Sequence, residues 1–236
     1  MTFATALWTA EMGLVAKMLS YDSRNFHAWH YRREVVKALE DLKRQELDGE
    51  KGHDRAAVEA SMAEQEFEYT TKMIRTNLSN FSAWHNRTQL IPRLLDERQA
   101  DDTARRKMLD DEIDLITQAL YTDPYDQSLW FYHQYLMTTL SPKVPERALV
   151  VRTLTRHERM EYLDAQLDLL KDMLDGTDDC KWIYQALLTT SQQYLDLDAG
   201  NERISTIEMR SWLQQLRQLD PLRKGRWDDW SQTLNL

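Results

Sequence analysis

The chain has 236 residues, 42% of them hydrophobic and 29% charged, with a formal net charge of −9. These values describe a globular chain rather than a disordered one, and an acidic chain lacks the basic footprint of a nucleic-acid binder. Only 6 Gly and 5 Pro occur, which leaves little turn material and points to long helices joined by short connections. The single cysteine, Cys180, excludes an internal disulfide and multi-cysteine zinc sites, and suggests a cytoplasmic home. No stretch approaches the roughly 20 apolar residues of a membrane span, and the N-terminus shows no charged segment followed by an apolar core, so neither an integral membrane segment nor a secretory leader is expected.

The first predicted element, residues 5–41, joins the amphipathic segment "TAEMGLVAKMLS" to "DSRNFHAWHYRREVV". The polar run "ELDGEKGHD" follows, inside a predicted insertion over 42–56, and is expected to be an exposed loop carrying a solvated His53. The second element, 57–95, repeats the design with "EQEFEYTTKMIRT" and "SNFSAWHNRTQLIPRL", and a second insertion is expected over 96–104. A third, 105–140, ends in "DPYDQSLWFYHQYL"; a fourth and a fifth span about 147–195 and 199–233.

What unites the five is a tryptophan seven residues after an Asp or Asn. Asp22, Asn77, Asp123, Asp175 and Asp220 precede Trp29, Trp84, Trp130, Trp182 and Trp227, at Trp-to-Trp intervals of 55, 46, 52 and 45 residues. The first three copies agree further. Asn25, Asn80 and Asp126 stand four before the Trp; His27, Ser82 and Ser128 two before; Arg32, Arg87 and His133 three after; Val36, Ile91 and Met137 seven after; Leu19, Ile74 and Leu120 ten before. The Asp or Asn at −7 is the expected N-cap of the second helix. Pro124 and Pro221 would then stand at its first position, and the Trp two turns in, on an apolar stripe with Phe26 and Val36. The expected fold is all-α: an α-α superhelix, or solenoid, of about five helical hairpin repeats in one domain over 1–236. A tetratricopeptide array is disfavoured, because its period is about 34 residues.

Chemistry is sparse. No Gly-rich phosphate loop, G-x-S-x-G or helical H-E-x-x-H is present. His27 and His30 lie three apart without a following carboxylate at ligand spacing, so no metal site is expected in this chain. His30 recurs as His85 and is expected to pack. His27 does not recur: the equivalent positions hold Ser82 and Ser128.

The segments "RNFHAWHYRR", "SNFSAWHNR" and "DPYDQSLWFYHQYL" resemble the Asn-aromatic-x-x-Trp-x-x-Arg repeats of protein prenyltransferase α subunits. Pro92, "WFYH" and the late "DPLRKGRWDDW" make the resemblance strongest to the Rab geranylgeranyltransferase (type II) branch. The resemblance implies a heterodimer in which the α chain scaffolds a β subunit. That β subunit would carry the catalytic zinc and the lipid pocket, so no cofactor is expected in this chain. Geranylgeranyl diphosphate would be the lipid substrate, and Rab GTPases held by an escort protein would receive it on C-terminal cysteines. It also implies a role for "NFHAW": His27 would approach the diphosphate as the candidate catalytic residue, with Arg24, Asn25 and Phe26 at the subunit interface and the five tryptophans as structural anchors. The family's Pro-Lys-x-Tyr sequence, one repeat earlier, has no counterpart before Asp22, so the chain is expected to be N-terminally shortened. Two alternatives stay open: the α chain shared by farnesyltransferase and geranylgeranyltransferase type I, and a helical scaffold without catalysis.

Overall fold

A computed structural model describes residues 2–48, 59–200 and 202–236. Among them lie ten α-helices and no strand. They are α1 (Phe3–Tyr21), α2 (Phe26–Asp48), α3 (Ala63–Thr76), α4 (Phe81–Glu97), α5 (Asp102–Thr122), α6 (Gln127–Thr139), α7 (Arg156–Met173), α8 (Lys181–Leu197), α9 (Thr206–Leu219) and α10 (Lys224–Leu234). Short 3₁₀ turns occupy Glu146–Ala148 and Pro221–Arg223. The chain divides into two compact units, 1–100 and 101–236.

In the first unit, α1 packs on α2 and α3 on α4. In the second, α5 packs on α6, α7 on α8, and α8 also on α9. The all-α class and the hairpin plan are thus as the repeat implies. Leu19, Ile74 and Leu120, at −10, and Val36, Ile91 and Met137, at +7, are all buried. Each brings the apolar side of one helix of a hairpin onto its mate, where burial of a Leu or Ile contributes about 1.5–3 kcal/mol.

The turn chemistry differs from the expectation in register. Asp22, Asn77 and Asp123 end the first helix of each hairpin, their backbone N–H groups reaching Met18, Met73 and Ala119 carbonyls. Each carboxylate or amide oxygen then accepts the N–H two residues on, of Arg24, Ser79 and Tyr125, at 3.0–3.2 Å. The N-cap of the second helix is the residue at −4. Asn25, Asn80 and Asp126 accept from the N–H groups of Ala28, Ala83 and Ser128 at 3.0, 3.1 and 2.7 Å. An Asx turn and a cap both want a short oxygen-bearing side chain, so composition alone could not tell the two positions apart. Pro124 accordingly sits in the turn, whereas Pro221 does open a helix, the 3₁₀ turn that follows Asp220. Trp29, Trp84 and Trp130 are the fourth residues of α2, α4 and α6, in the first turn rather than two turns in.

The insertions also shrink. Glu46–Asp48 are still helical, because α2 continues to Asp48. The rest of "ELDGEKGHD" through His53 and Asp54, and the end of the expected insertion, lie outside the described residues. At the second boundary only residues 98–101 separate α4 from α5. Gln99 turns the chain there in the left-handed region at φ 48°, and Asp101 caps α5 through the Ala104 N–H at 2.8 Å.

Candidate functional site

The tryptophans organise each hairpin turn. Trp29, Trp84 and Trp130 donate their indole N–H to the carbonyl six residues back, of Ser23, Leu78 and Pro124, at 2.9, 2.8 and 2.7 Å. Trp227 donates instead to the carbonyl seven residues back, of Asp220, at 3.1 Å. A buried indole needs such a partner, and the bond clamps the turn to the helix it precedes.

Trp182 departs from this pattern. It is only half-buried, whereas Tyr184 is buried and its hydroxyl donates to the Asp178 carbonyl, six residues back, at 2.8 Å. Cys180 then falls at −4, where it precedes α8 as Asn80 precedes α4. The hydrogen bonds agree on this register. Asn80 Nδ2 donates to the Ser23 carbonyl that Trp29 also uses, at 2.6 Å, and Cys180 Sγ donates to the Pro124 carbonyl that Trp130 uses, at 3.1 Å. The anchor of the fourth hairpin is therefore Tyr184, and Trp182 occupies the register of His27.

The polar residues at +3 also gain a physical reason. Arg32, in α2, makes a two-pronged bond to Glu66 in α3 at 2.8 and 2.6 Å, with both groups buried and the guanidinium 3.5 Å over the Tyr69 ring. His133, in α6, bonds Gln166 in α7 at 3.0 Å. Both tie the second helix of one hairpin to the first helix of the next. Burial holds His133 far below its ordinary 6.5, at about 4, so the imidazole is neutral and its Nε2–H donates to the Gln166 oxygen.

With the fold holding these residues, the turn before α2 presents the others outward. Asn25 is committed to its cap. Arg24, Phe26 and His27 are exposed, Phe26 at 66%. The His27 ring lies against Phe26 with centroids 3.9 Å apart, and among the described residues no hydrogen-bond partner holds its nitrogens. An imidazole in the first turn of a helix, beside an arginine, offers donors to an anion at the positive end of the helix dipole. His30 and His85 are exposed as well, contrary to the packing role expected of them. Position +1 faces away from the hairpin mate, and His85 instead stacks on Phe81 at 5.8 Å. Among the described residues no group of three or more His, Cys, Asp or Glu side chains is placed to hold a metal ion.

Sequence reasoning passed over a groove in the same unit. Trp29, Val36 and Leu90 line its floor, and Arg33, Lys37 and Asn86 stand along α2 and α4, around a volume of about 290 Å³. The i, i+4 spacing of Arg33 and Lys37 was the signal available.

The protein prenyltransferase alpha subunit repeat matches residues 8–39, 63–94 and 109–140, the α1/α2, α3/α4 and α5/α6 hairpins. The chain carries three copies of the protein prenyltransferase alpha subunit repeat. It is 34% identical to the geranylgeranyl transferase type-2 subunit alpha of Schizosaccharomyces pombe, over 97% of this chain and 62% of that protein. It is 33% identical to that of Saccharomyces cerevisiae, over 96% and 62%. The chain thus spans less than two thirds of the length of these relatives. Among solved structures it is similar to Candida albicans protein geranylgeranyltransferase-I complexed with GGPP, with a TM-score of 0.47 and 17% identity over 94% of this chain and 70% of that one. The fourth hairpin lies outside the matched repeats, and it is there that Tyr184 replaces the anchoring Trp.

Proposed function

We propose that the chain acts as the α subunit of a heterodimeric Rab geranylgeranyltransferase. In this reading it scaffolds the catalytic β subunit and lines the edge of the site where geranylgeranyl passes from its diphosphate to C-terminal cysteines of Rab GTPases presented by an escort protein. The observation that carries the reading is continuous similarity, over 97% of the chain, to a type-2 subunit alpha. Zinc and the lipid pocket belong to the β subunit in this scheme. His27 is the residue of this chain offered to the reacting diphosphate. As the lipid's C–O bond breaks, negative charge gathers on the leaving oxygens, and a donor fixed at that point stabilises the transition state more than the ground state. Phe26 supports the ring, and Arg24 adds positive charge to the same rim.

The test is reconstitution. The chain, mixed with a type-2 β subunit, should form a heterodimer that prenylates an escort-bound Rab, and should not pair with a farnesyltransferase β subunit. Pairing with the farnesyl-type subunit, or with neither, would overturn the assignment. In the active heterodimer His27→Ala should lower kcat by about 10- to 100-fold with an unchanged melting temperature, since the side chain is exposed. Unchanged turnover and lipid affinity would remove His27 from the mechanism.

A further inference from the structure

The groove between α2 and α4 is preorganised by charges that satisfy one another. Its lining holds four cations (Arg32, Arg33, Lys37, Arg93) and two carboxylates (Glu40, Glu66). Arg32 is closed off by Glu66. Arg93 bonds Glu40 and Glu97, each at 2.7 Å, and Glu40 also accepts the Met62 N–H at 2.8 Å. Arg33 and Lys37 are left over. Arg33 is held by Asn86 Oδ1 at 3.0 Å and by His30 Nδ1 at 3.3 Å, neither of which carries negative charge. Lys37, one turn further along α2, is exposed and has no partner among the described residues. Two cations thus stand unneutralised over an apolar floor, in a chain whose net charge is −9.

That combination selects an occupant with carboxylates on a carbon body. The volume of about 290 Å³ falls at the bottom of the roughly 300–1,000 Å³ range of small-molecule pockets, so it suits a few side chains of a protein segment. Arg33 follows His27 on the same helix by six residues, about 9 Å along the axis and roughly 120° around it, so the groove runs along a neighbouring flank of α2, within two turns of His27. We propose that this groove seats an acidic segment of the β subunit, with Asp or Glu carboxylates paired to Arg33 and Lys37 and the adjoining side-chain carbons on Trp29, Val36 and Leu90. The inference rests on the reading of the chain as an α subunit. Because the net charge of the whole chain repels an acidic partner while the groove attracts it, the groove sets register and partner choice more than overall attraction.

The experiment measures association of the full chain with a type-2 β subunit. Combined Arg33→Glu and Lys37→Glu should weaken the complex at least tenfold at low salt, with part of the loss recovered at 0.5 M salt as repulsion is screened. The pair Arg33→Lys and Lys37→Arg should stay within threefold of wild type. Circular dichroism melts should be unchanged, because both side chains are exposed. A carbodiimide, which joins an amine to a carboxylate with no spacer, should link Lys37 to an Asp or Glu of the β subunit. The inference is overturned if the reversed-charge variant binds within twofold of wild type, or if Lys37 links only to the escort protein or the Rab. A wild-type chain that fails to pair with the type-2 β subunit sinks the functional reading itself, a result distinct from a failure of the variants alone.

Discussion

At the scale of single residues, the anchor of each hairpin is a buried ring that also donates a hydrogen bond backward across the turn. Trp84 is 1% exposed and its N–H reaches Leu78, so Trp84→Ala should cost about 3–5 kcal/mol through cavity and lost burial. The fourth hairpin gives a sharper contrast. Tyr184→Ala should destabilise by about 3 kcal/mol, and Trp182→Ala, although it deletes the larger ring, by about 1 kcal/mol or less. Urea midpoints of the two variants decide it: if Trp182 is the costlier loss, the Tyr184 register is wrong. The sequence pointed to Trp182 because Asp175 stands seven residues before it, but that spacing also arises by coincidence in an Asp-rich stretch. Only the bonds that the Cys180 and Tyr184 side chains donate to backbone carbonyls separate the two registers.

His133 carries a pH signature. Its folded value lies near 4, against an ordinary 6.5. Above both values neither state binds the proton and His133 contributes nothing to pH dependence. As pH falls from about 6.5 toward 4 the unfolded chain takes up a proton that the folded chain refuses. Stability is therefore lost across that window, on the order of 3 kcal/mol in all. His133→Gln removes the titration, so the stability difference between wild type and variant should shift in the variant's favour between pH 7 and pH 4. A difference that stays flat across the window contradicts a neutral buried imidazole.

At the scale of helices, the caps connect neighbouring hairpins as well as starting a helix. Asn80 is fully buried; its oxygen caps α4 and its amide donates to Ser23 across to the first hairpin. Asn80→Asp keeps the cap but replaces the donor with a carboxylate facing a carbonyl, so it should cost about 2–3 kcal/mol although Asp is as good a cap as Asn. Asn25, whose side chain makes only the cap bond among the described residues, should lose about 1 kcal/mol as Asn25→Ala. Thermal or urea unfolding that ranks Asn25→Ala above Asn80→Asp would show that the cross-hairpin bond contributes nothing. The recurrence at −4 was visible in the sequence as Asn25, Asn80 and Asp126, yet its role was assigned to −7. Both positions prefer the same residue types, and a periodic pattern shows which positions are constrained without showing what constrains them. The same holds for Arg32 and His133. Their alignment at +3 was legible, but their partners Glu66 and Gln166 lie 34 and 33 residues on, beyond any local pattern.

At the scale of the whole chain, the division into 1–100 and 101–236 matters because the proposed functional surfaces, His27 and the Arg33–Lys37 groove, belong entirely to the first unit. Hairpin arrays are stabilised by intrinsic and nearest-neighbour terms, so damage should spread within a unit before it spreads along the chain. Trp84→Ala should therefore accelerate amide hydrogen exchange in α1–α4 while the protection of α7–α10 stays at its wild-type level. Pairing with a β subunit should fall in step with the first unit's stability. The matching change in the second unit, Leu213→Ala at a buried site of α9, should loosen α7–α10 and leave α1–α4 protected. If either variant raises exchange uniformly along the chain, the two units unfold as one, and the effects of distant core substitutions on β-subunit pairing could no longer be separated from effects at His27 and the groove.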